Sequence, residues 1–363
     1  MKILITTARA PVALEWVKIA KKSGHIPILA DTLDYPICSF YKDVEYKKIH
    51  SPRLDFENYL KDIEFLSKQV DMIIPNGEDI FYLAKVRDII DSKIKFFIPD
   101  TNDLFNLHSK MKFFEKMNNN VKIPNSILIE NKNEINFNKK TVLKPEFSRF
   151  GKNVIRDVNK KNIQNIEINK NYKWVQQDFI EGNSLCNYAI CENGEVISHV
   201  VYKPKYLINN SASSYFEYTE DKRCENFIKE FAKNNNFNGQ IAFDFIDDGK
   251  DLYIIECNPR TTSGLHLISK NIFIEKNGKI TSIGKIEKRS YRVGFTLFLL
   301  FGLQSIKENT FKTLIFDYKK AKNVLSDLPF YGQFISMYEI FKKSKSINKT
   351  FTDTSTYDIE YDG

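Results

Sequence analysis

The sequence predicts two fold classes in succession, an α/β domain on a parallel sheet and then an α+β domain, followed by a mostly helical remainder. Three observations carry this reading. Apolar, β-branched runs alternate with helical spacing over the first hundred residues, the pattern of βαβ units. Beyond residue 140 strand-like runs follow one another directly, two pairs of them across short polar turns, which marks antiparallel hairpins. After residue 285 helical spacing dominates. The expected boundaries are 1–100, 101–285 and 286–363.

In order, KILIT (2–6) is a strand, Val12 to Ser23 a helix stopped by Gly24, and HIPILAD (25–31) a second strand. Phe56 to Gln69 is a helix, DMIIP (71–75) a strand, Ile80 to Ile90 a helix and KFFIP (95–99) a strand. Ligands of such sheets bind beyond the carboxyl ends of the strands. Here those ends are TTARAP (6–11), DTLDYP (31–36) and NGED (76–79). The first turn lacks the glycines that let a backbone approach a pyrophosphate, so the domain is Rossmann-like in pattern without being the nucleotide site. TNDLFNLHSKMKFFEKM (101–117) reads as one capped helix. NYAICENGEVISHVVYKP (187–204) and GQIAFDFIDDGKDLYIIE (239–256) read as hairpins, turning at Asn-Gly and at 247–250.

Composition excludes several classes. The net charge is +8, but the lysines are scattered among Asp and Glu with no basic stripe, which argues against nucleic acid and fits a protein that handles anionic phosphates. Five cysteines without C-x-x-C spacing fit a reducing, cytoplasmic setting rather than a disulfide framework or a zinc site. The start has no apolar signal core. The run VGFTLFLLFGL (293–303) is 11 residues long, against about 20 for a bilayer span, and reads as a buried helix rather than a membrane contact.

The hairpin at 239–260 carries the chemistry. Along its strands Phe243 and Phe245 face one way and Asp244 the other, while Ile255 and Glu256 are expected on opposite faces. The turn can bring Asp244 and Glu256 together, and Asn258 adds a third oxygen. Such hard oxygens suit Mg²⁺, or Mn²⁺, with phosphates completing its shell. Arg260 can clamp a phosphate or a developing oxyanion. Lys144 ends the apolar strand TVLK, so it needs a partner or an opening to water. Lys110 by itself is a helical surface lysine. EFSRFGKN (146–153), with Ser148, Arg149 and Lys152, could close over phosphates. Weaker candidates are Lys203 and Lys205, the stretch 211–218, and Ser263, Gly264 and His266 after the arginine. Glu78, Asp79 and Tyr82 at a strand end complete the set, with helix capping an equal reading for Asp79.

The order of a helical lysine, V-L-K-P, a loop, Q-D-F-I-E-G, a strand carrying Asp244 and then I-I-E-C-N-P-R resembles the ATP-grasp superfamily over residues 100–285. The resemblance implies a two-lobed ATP-grasp domain behind the Rossmann-like domain. It assigns Lys110 and Lys144 to ATP, beside which Ser148, Arg149 and Lys203 stand as phosphate candidates from the residues themselves, and Gln177, Asp178, Phe179 and Ile180 to the adenine hinge. Ser184 stands where an acidic residue often holds the ribose, which leaves Glu181 for that contact. Asp244, Glu256 and Asn258 would be the Mg²⁺ ligands, Arg260 and Lys144 the catalytic pair. The implied activity is ATP-dependent joining of a small carboxylate to an amine through an acylphosphate. A bicarbonate or thiol acceptor and a non-catalytic nucleotide-binding module are the alternatives. Neither nucleic acid nor membrane is an expected partner, and a homodimer is compatible.

Overall fold

The computed structural model describes every residue except 91, 92, 150, 152 and 209–211. The expected Lys152 contact and the first residue of the 211–218 stretch therefore lie outside the described residues. The first layer comprises β1 (Lys2–Ile5), α1 (Ala13–Lys22), β2 (Ile26–Asp31), β3 (Glu45–Lys48), α2 (Phe56–Ser67), β4 (Met72–Ile74), α3 (Asp79–Ile89) and β5 (Lys95–Phe96). Its five strands are parallel in the order β3-β2-β1-β4-β5. Alternation sends Ile3 and Ile5 to the face covered by α1 and Leu4 to the face covered by α2 and α3, which is why β1 reads as an unbroken apolar run. The polar strand β3, EYKK, has no such signal and escapes the sequence reading.

Next come α4 (Thr101–His108), β6 (Ser126–Ile129), β7 (Thr141–Pro145) and β8 (Trp174–Asp178), the three strands forming an antiparallel sheet around Leu143 and Trp174. The helix expected over 101–117 breaks at Ser109. The Ser109 hydroxyl accepts the Met111 and Lys112 amides, and the Lys110 amide donates to Glu146 O at 3.1 Å, so the amides that would continue the helix are bound elsewhere.

The large sheet is built from β9 (Asn183–Glu192), β10 (Glu195–Ile208) and β11 (Ala212–Thr219), then, after α5 (Lys222–Asn234), from β12 (Gly239–Asp247) and β13 (Leu252–Asn258). Both expected hairpins form. Asn193 and Gly194 at the first tip have φ of 52° and 75°, the left-handed pair that an Asn-Gly hairpin turn requires. After α6 (Leu265–Ile268), β14 (Ile272–Ile274) and β15 (Ile280–Ser282), the sheet continues past residue 285 through β16 (Ser290–Arg292). Beyond α7 (Thr296–Lys307) and α8 (Phe311–Lys320) it ends on β17 (Lys322–Asn323), in the order β13-β12-β9-β10-β11-β16-β17. α9 (Phe330–Ser346) and α10 (Phe351–Thr354) close the chain as described.

One face of the large sheet packs on α5 through Phe227, Phe231, Phe243 and Phe245. The other merges Tyr188, Ile190 and Tyr202 with Trp16, Ile3 and Ile5 of the first layer into a single apolar cluster. A polar bolt crosses this seam. The Gln240 side-chain oxygen accepts from Trp16 Nε1 at 3.1 Å, Tyr188 Oη at 2.6 Å and Thr261 Oγ1 at 2.5 Å, while Gln240 Nε2 donates to Pro75 O at 3.3 Å.

The apolar run 293–303 is a correction. It does form a helix, but only Leu297, Gly302 and Ser305 of α7 are buried, while Leu299, Leu300, Leu303 and Ile306 face outward. The neighbouring elements cover one narrow stripe of an all-apolar surface. Among the described residues no helix is long and apolar enough to cross a membrane.

His108 lies buried between Phe81, Phe147 and the segment that follows α10. Its Nε2–H donates to Tyr361 O at 3.1 Å. Burial pulls its pKa down to about 4 despite the nearby Glu78 carboxylate. Because the unfolded chain takes up the proton first, stability should fall as pH drops from 6.5 toward 4. The slope from this group is about 1.4 kcal/mol per pH unit, roughly 3 kcal/mol in all. Urea unfolding of H108Q across that window should show this component lost.

Candidate active site

Asp244 and Glu256 are direct cross-strand partners on β12 and β13, so their carboxylates rise from one face of the ribbon. A bulge places them there. The register slips between Asp244 and Phe245, leaving Ile255 as the extra residue. The expectation that Ile255 and Glu256 face opposite ways fails for this reason. With Ile254 and Cys257 in the core beneath, Ile255 and Glu256 both line the cleft above. Asn258 lies two residues on, its amide donating weakly to Asp244 Oδ2 at 3.4 Å. Arg260 donates to Asn258 Oδ1 at 3.2 Å and stands 3.6 Å from Glu78 Oε1.

Two lysines face this pair. Lys110 is not the solvated helical lysine it looks in isolation. It sits in the break after α4, 4% exposed, with Nζ 3.0 Å from Glu256 Oε1 and donating to Ser148 O at 2.6 Å. Lys144 ends β7 and donates to Ile255 O at 2.9 Å and Gln177 Oε1 at 3.1 Å, so the partner its position demands is the bulge itself. Burial pulls the Lys144 ammonium down to about 8 although Glu256 pulls the other way. Burial, and then the facing Glu256, pushes Asp244 up to about 6, whereas Lys110 and Lys144 outweigh burial at Glu256 and hold it below its ordinary range. One carboxylate is thus short of positive charge, the condition a divalent cation would relieve. Asp244, Glu256 and Asn258 are the oxygens that fit it. Among the described residues no group of three or more His, Cys, Asp or Glu side chains converges on a metal position.

Above the pair runs a cleft of about 190 Å³ between the three-stranded and the large sheets. Gln177, Asp178, Phe179 and Ile180 line it, and so does Ser184, whereas Glu181 is exposed. Gly182 has no room for a side chain, since a Cβ would meet Asp247 O at 2.3 Å. Val142, Val154, Arg156, Pro204 and Leu207 also line the cleft and were missed. A stretch such as TVLKP signals a strand but not which side faces a ligand. Leu207 depends on Tyr206, whose φ of 55° interrupts the strand's alternation. Lys203 is a correction. Tyr202 belongs to the cluster on the face Asp244 shares, so alternation puts Lys203 with Val201 on the α5 side, exposed and off the cleft. Lys205 is tied to Asp317 at 3.2 Å.

Arg149 and Ser148 reach the site edge-on. Ser148 offers its carbonyl to Lys110. Arg149 lies 2.7 Å from Glu78 Oε2 and contacts Glu360 and Asp362, so its guanidinium is turned toward the first layer and residues 360–362. Glu78, buried, bridges Arg149 and Arg260. Asp79 is not a substrate-facing group. It accepts from Thr7 Oγ1 at 2.6 Å and Gly77 N at 3.2 Å, bracing the β1 and β4 ends together. Tyr82 donates to Glu360 O at 2.9 Å. Gly264 is pressed on Tyr188, where a Cβ would lie 2.2 Å from the ring-bearing carbon, and the Ser263 carbonyl caps the His266 amide. His266 is buried against Glu15 at 3.0 Å and stacks on Phe216, which gives it a structural setting under α1.

Residues 107–264 match the family model of the ATP-grasp domain. No curated protein matches the chain. Its fold is similar to that of N5-carboxyaminoimidazole synthetase from Staphylococcus aureus complexed with ADP, with 15% identity, 85% of this chain and 86% of that one covered, and a TM-score of 0.63. It is also similar to L-amino acid ligase from Bacillus licheniformis, with 14% identity, coverage of 75% and 70%, and a TM-score of 0.55. A third neighbour is phosphoribosylglycinamide synthetase from Anaerococcus prevotii, with 17% identity, coverage of 76% and 73%, and a TM-score of 0.53.

The Lys110–Glu256 pair permits a direct test. K110M should cost about 2–4 kcal/mol in urea unfolding without nucleotide, because it removes the direct partner of the buried Glu256 and leaves it facing Asp244 with less positive charge nearby. Adding E256Q should restore part of that loss. Simple additivity of the two changes would show that the pair is not coupled.

Proposed function

We propose, from the match of residues 107–264 to the family model of the ATP-grasp domain, that the protein is an ATP-dependent ligase that activates a carboxylate as an acylphosphate and joins it to an amine. The observation that carries this reading is the opposed pair Asp244 and Glu256, faced by Lys110 and Lys144, at the floor of a cleft with apolar walls.

ATP enters with its base between the sheets, against Val142, Phe179, Ile180 and Leu207, and its phosphates toward the carboxylate floor. Asp244, Glu256 and Asn258 would hold Mg²⁺, which when bound would neutralise charge on the phosphate oxygens. Lys144, fixed by Gln177 and the Ile255 carbonyl, holds its ammonium at the same oxygens. The acceptor carboxylate attacks the γ-phosphorus, ADP leaves, and the acylphosphate forms. An amine then attacks the acyl carbon, and phosphate departs with its electron pair. Arg260, steadied by Asn258 and Glu78, is placed to stabilise the oxyanion of that second step, a contribution typically worth about 3–4 kcal/mol. Glu78, in the turn between β4 and α3, and Arg260 after β13 border the space left for the acceptor, where the parallel sheet's carboxyl ends meet the large sheet.

ADP release measured across panels of carboxylates, with and without amines, bicarbonate or a thiol, tests the reading. Release that requires both a carboxylate and an amine is expected. Release with bicarbonate alone would reassign the acceptor, and nucleotide binding with no release under any pairing would leave a binding module. E256Q should lower ADP release at least a hundredfold while the folded signal in circular dichroism persists. Full ATP turnover by this variant would refute the assignment.

A further inference from the structure

Residues 357–363 run back across the molecule and set three acidic side chains onto three arginines. Asp358, buried, meets Arg9 at 2.6 Å and Lys343 at 2.7 Å. Glu360, also buried, contacts Arg53 and Arg149. Asp362 is different. It is the outermost of the three, with a side chain 39% exposed, and it bridges two guanidiniums, Arg53 NH2 at 2.6 Å and Arg149 NH2 at 2.7 Å, each on its own carboxylate oxygen. A cavity of about 220 Å³ opens beside it, lined by Arg53, Arg149, Lys349, Asn153, Tyr172 and Tyr357, large enough for a small metabolite.

The donor set exceeds what a carboxylate can use. Both oxygens of Asp362 are taken by the two arginines, yet an ammonium, an amide and two phenols also line the cavity. These are more donors than one carboxylate accepts from, whereas a phosphate group offers three oxygens. Charge points the same way. With Asp362 displaced, Arg53, Arg149 and Lys349 would face one remaining carboxylate of the cavity lining, Glu360, a positive excess that an anionic group would answer. The place also fits. Arg149 touches Glu78, Glu78 faces Arg260, and Arg260 holds Asn258, so an anion on Arg149 stands three contacts from the proposed metal ligands. Arg149 is not fully satisfied as it stands. Its Nε lies 2.7 Å from Glu78, but the angle leaves the N–H without a hydrogen bond.

We propose that Arg53 and Arg149, with Lys349, form a binding site for a phosphate group, which Asp362 fills in cis and an incoming ligand takes over. That the ligand is the phosphorylated acceptor of the ligase rests on the function proposed above; the anion site itself does not. Asp362 is the acid open to displacement because its side chain reaches solvent, whereas Asp358 and Glu360 are buried. Arg149 also adjoins Ser148, whose carbonyl accepts from Lys110 in the nucleotide floor.

Calorimetric titration with inorganic phosphate tests this on the full chain in saturating Mg²⁺-ADP, which keeps the nucleotide cleft filled. D362N should bind phosphate about tenfold tighter than the unaltered protein, as the two Asp362 ion pairs no longer compete. The double variant D362N/R53Q should lose that gain. In the unaltered protein, phosphate should raise amide exchange over 357–363. Equal phosphate affinity in D362N and the unaltered protein overturns the proposal, as does a gain that survives R53Q. Succinate gaining in place of phosphate overturns the phosphate assignment. Failure of ADP itself to bind would count against the ligase reading and leave the anion result to be judged alone.

Discussion

Two carboxylates held face to face on one ribbon set the terms for the rest of the site. Asp244 and Glu256 could separate if β13 kept strict alternation, but the extra residue Ile255 turns Glu256 onto the face of Asp244 while Ile254 and Cys257 stay in the core. Repulsion between them is only half answered from within the chain. Lys110 and Lys144 lean on Glu256, and Asp244 is left with a raised proton affinity. The surrounding architecture serves this imbalance. The helix break at Ser109 delivers Lys110, the end of β7 delivers Lys144, and the turn after β13 delivers Arg260.

Much of this was legible in the chain. Period-two and helical spacing marked the parallel sheet, and Asn193-Gly194 marked a hairpin by its backbone demand alone. The carboxylates, the amide and the arginine announced themselves because polar groups at the end of so apolar a strand need a common purpose. What failed did so for identifiable reasons. A bulge is invisible to alternation, so the orientation of Ile255 was misjudged. Lys203 was counted by proximity in sequence to a strand end, while its face was set by Val201 and Tyr202. Lys110 looked solvated because its partner Glu256 is supplied from far along the chain.

Arg149 shows the limit most clearly. Its neighbours in sequence place it in a loop over phosphates, but its partners are Glu78, Glu360 and Asp362, drawn from the first and last parts of the chain. No local pattern encodes such a convergence. The apolar run in α7 is the converse case. Its composition demanded burial, and the neighbouring elements provide only a narrow stripe of it.

The Gln240 bolt divides the molecule into unequal bodies. It welds the parallel sheet to the large sheet across one apolar seam, whereas the three-stranded sheet keeps its own separate core. The chain's two tryptophans fall on either side of that division, Trp16 inside the welded block and Trp174 in the small sheet. Intrinsic fluorescence therefore carries two resident optical labels, one per body, and the emission of each can be isolated by replacing the other ring with phenylalanine.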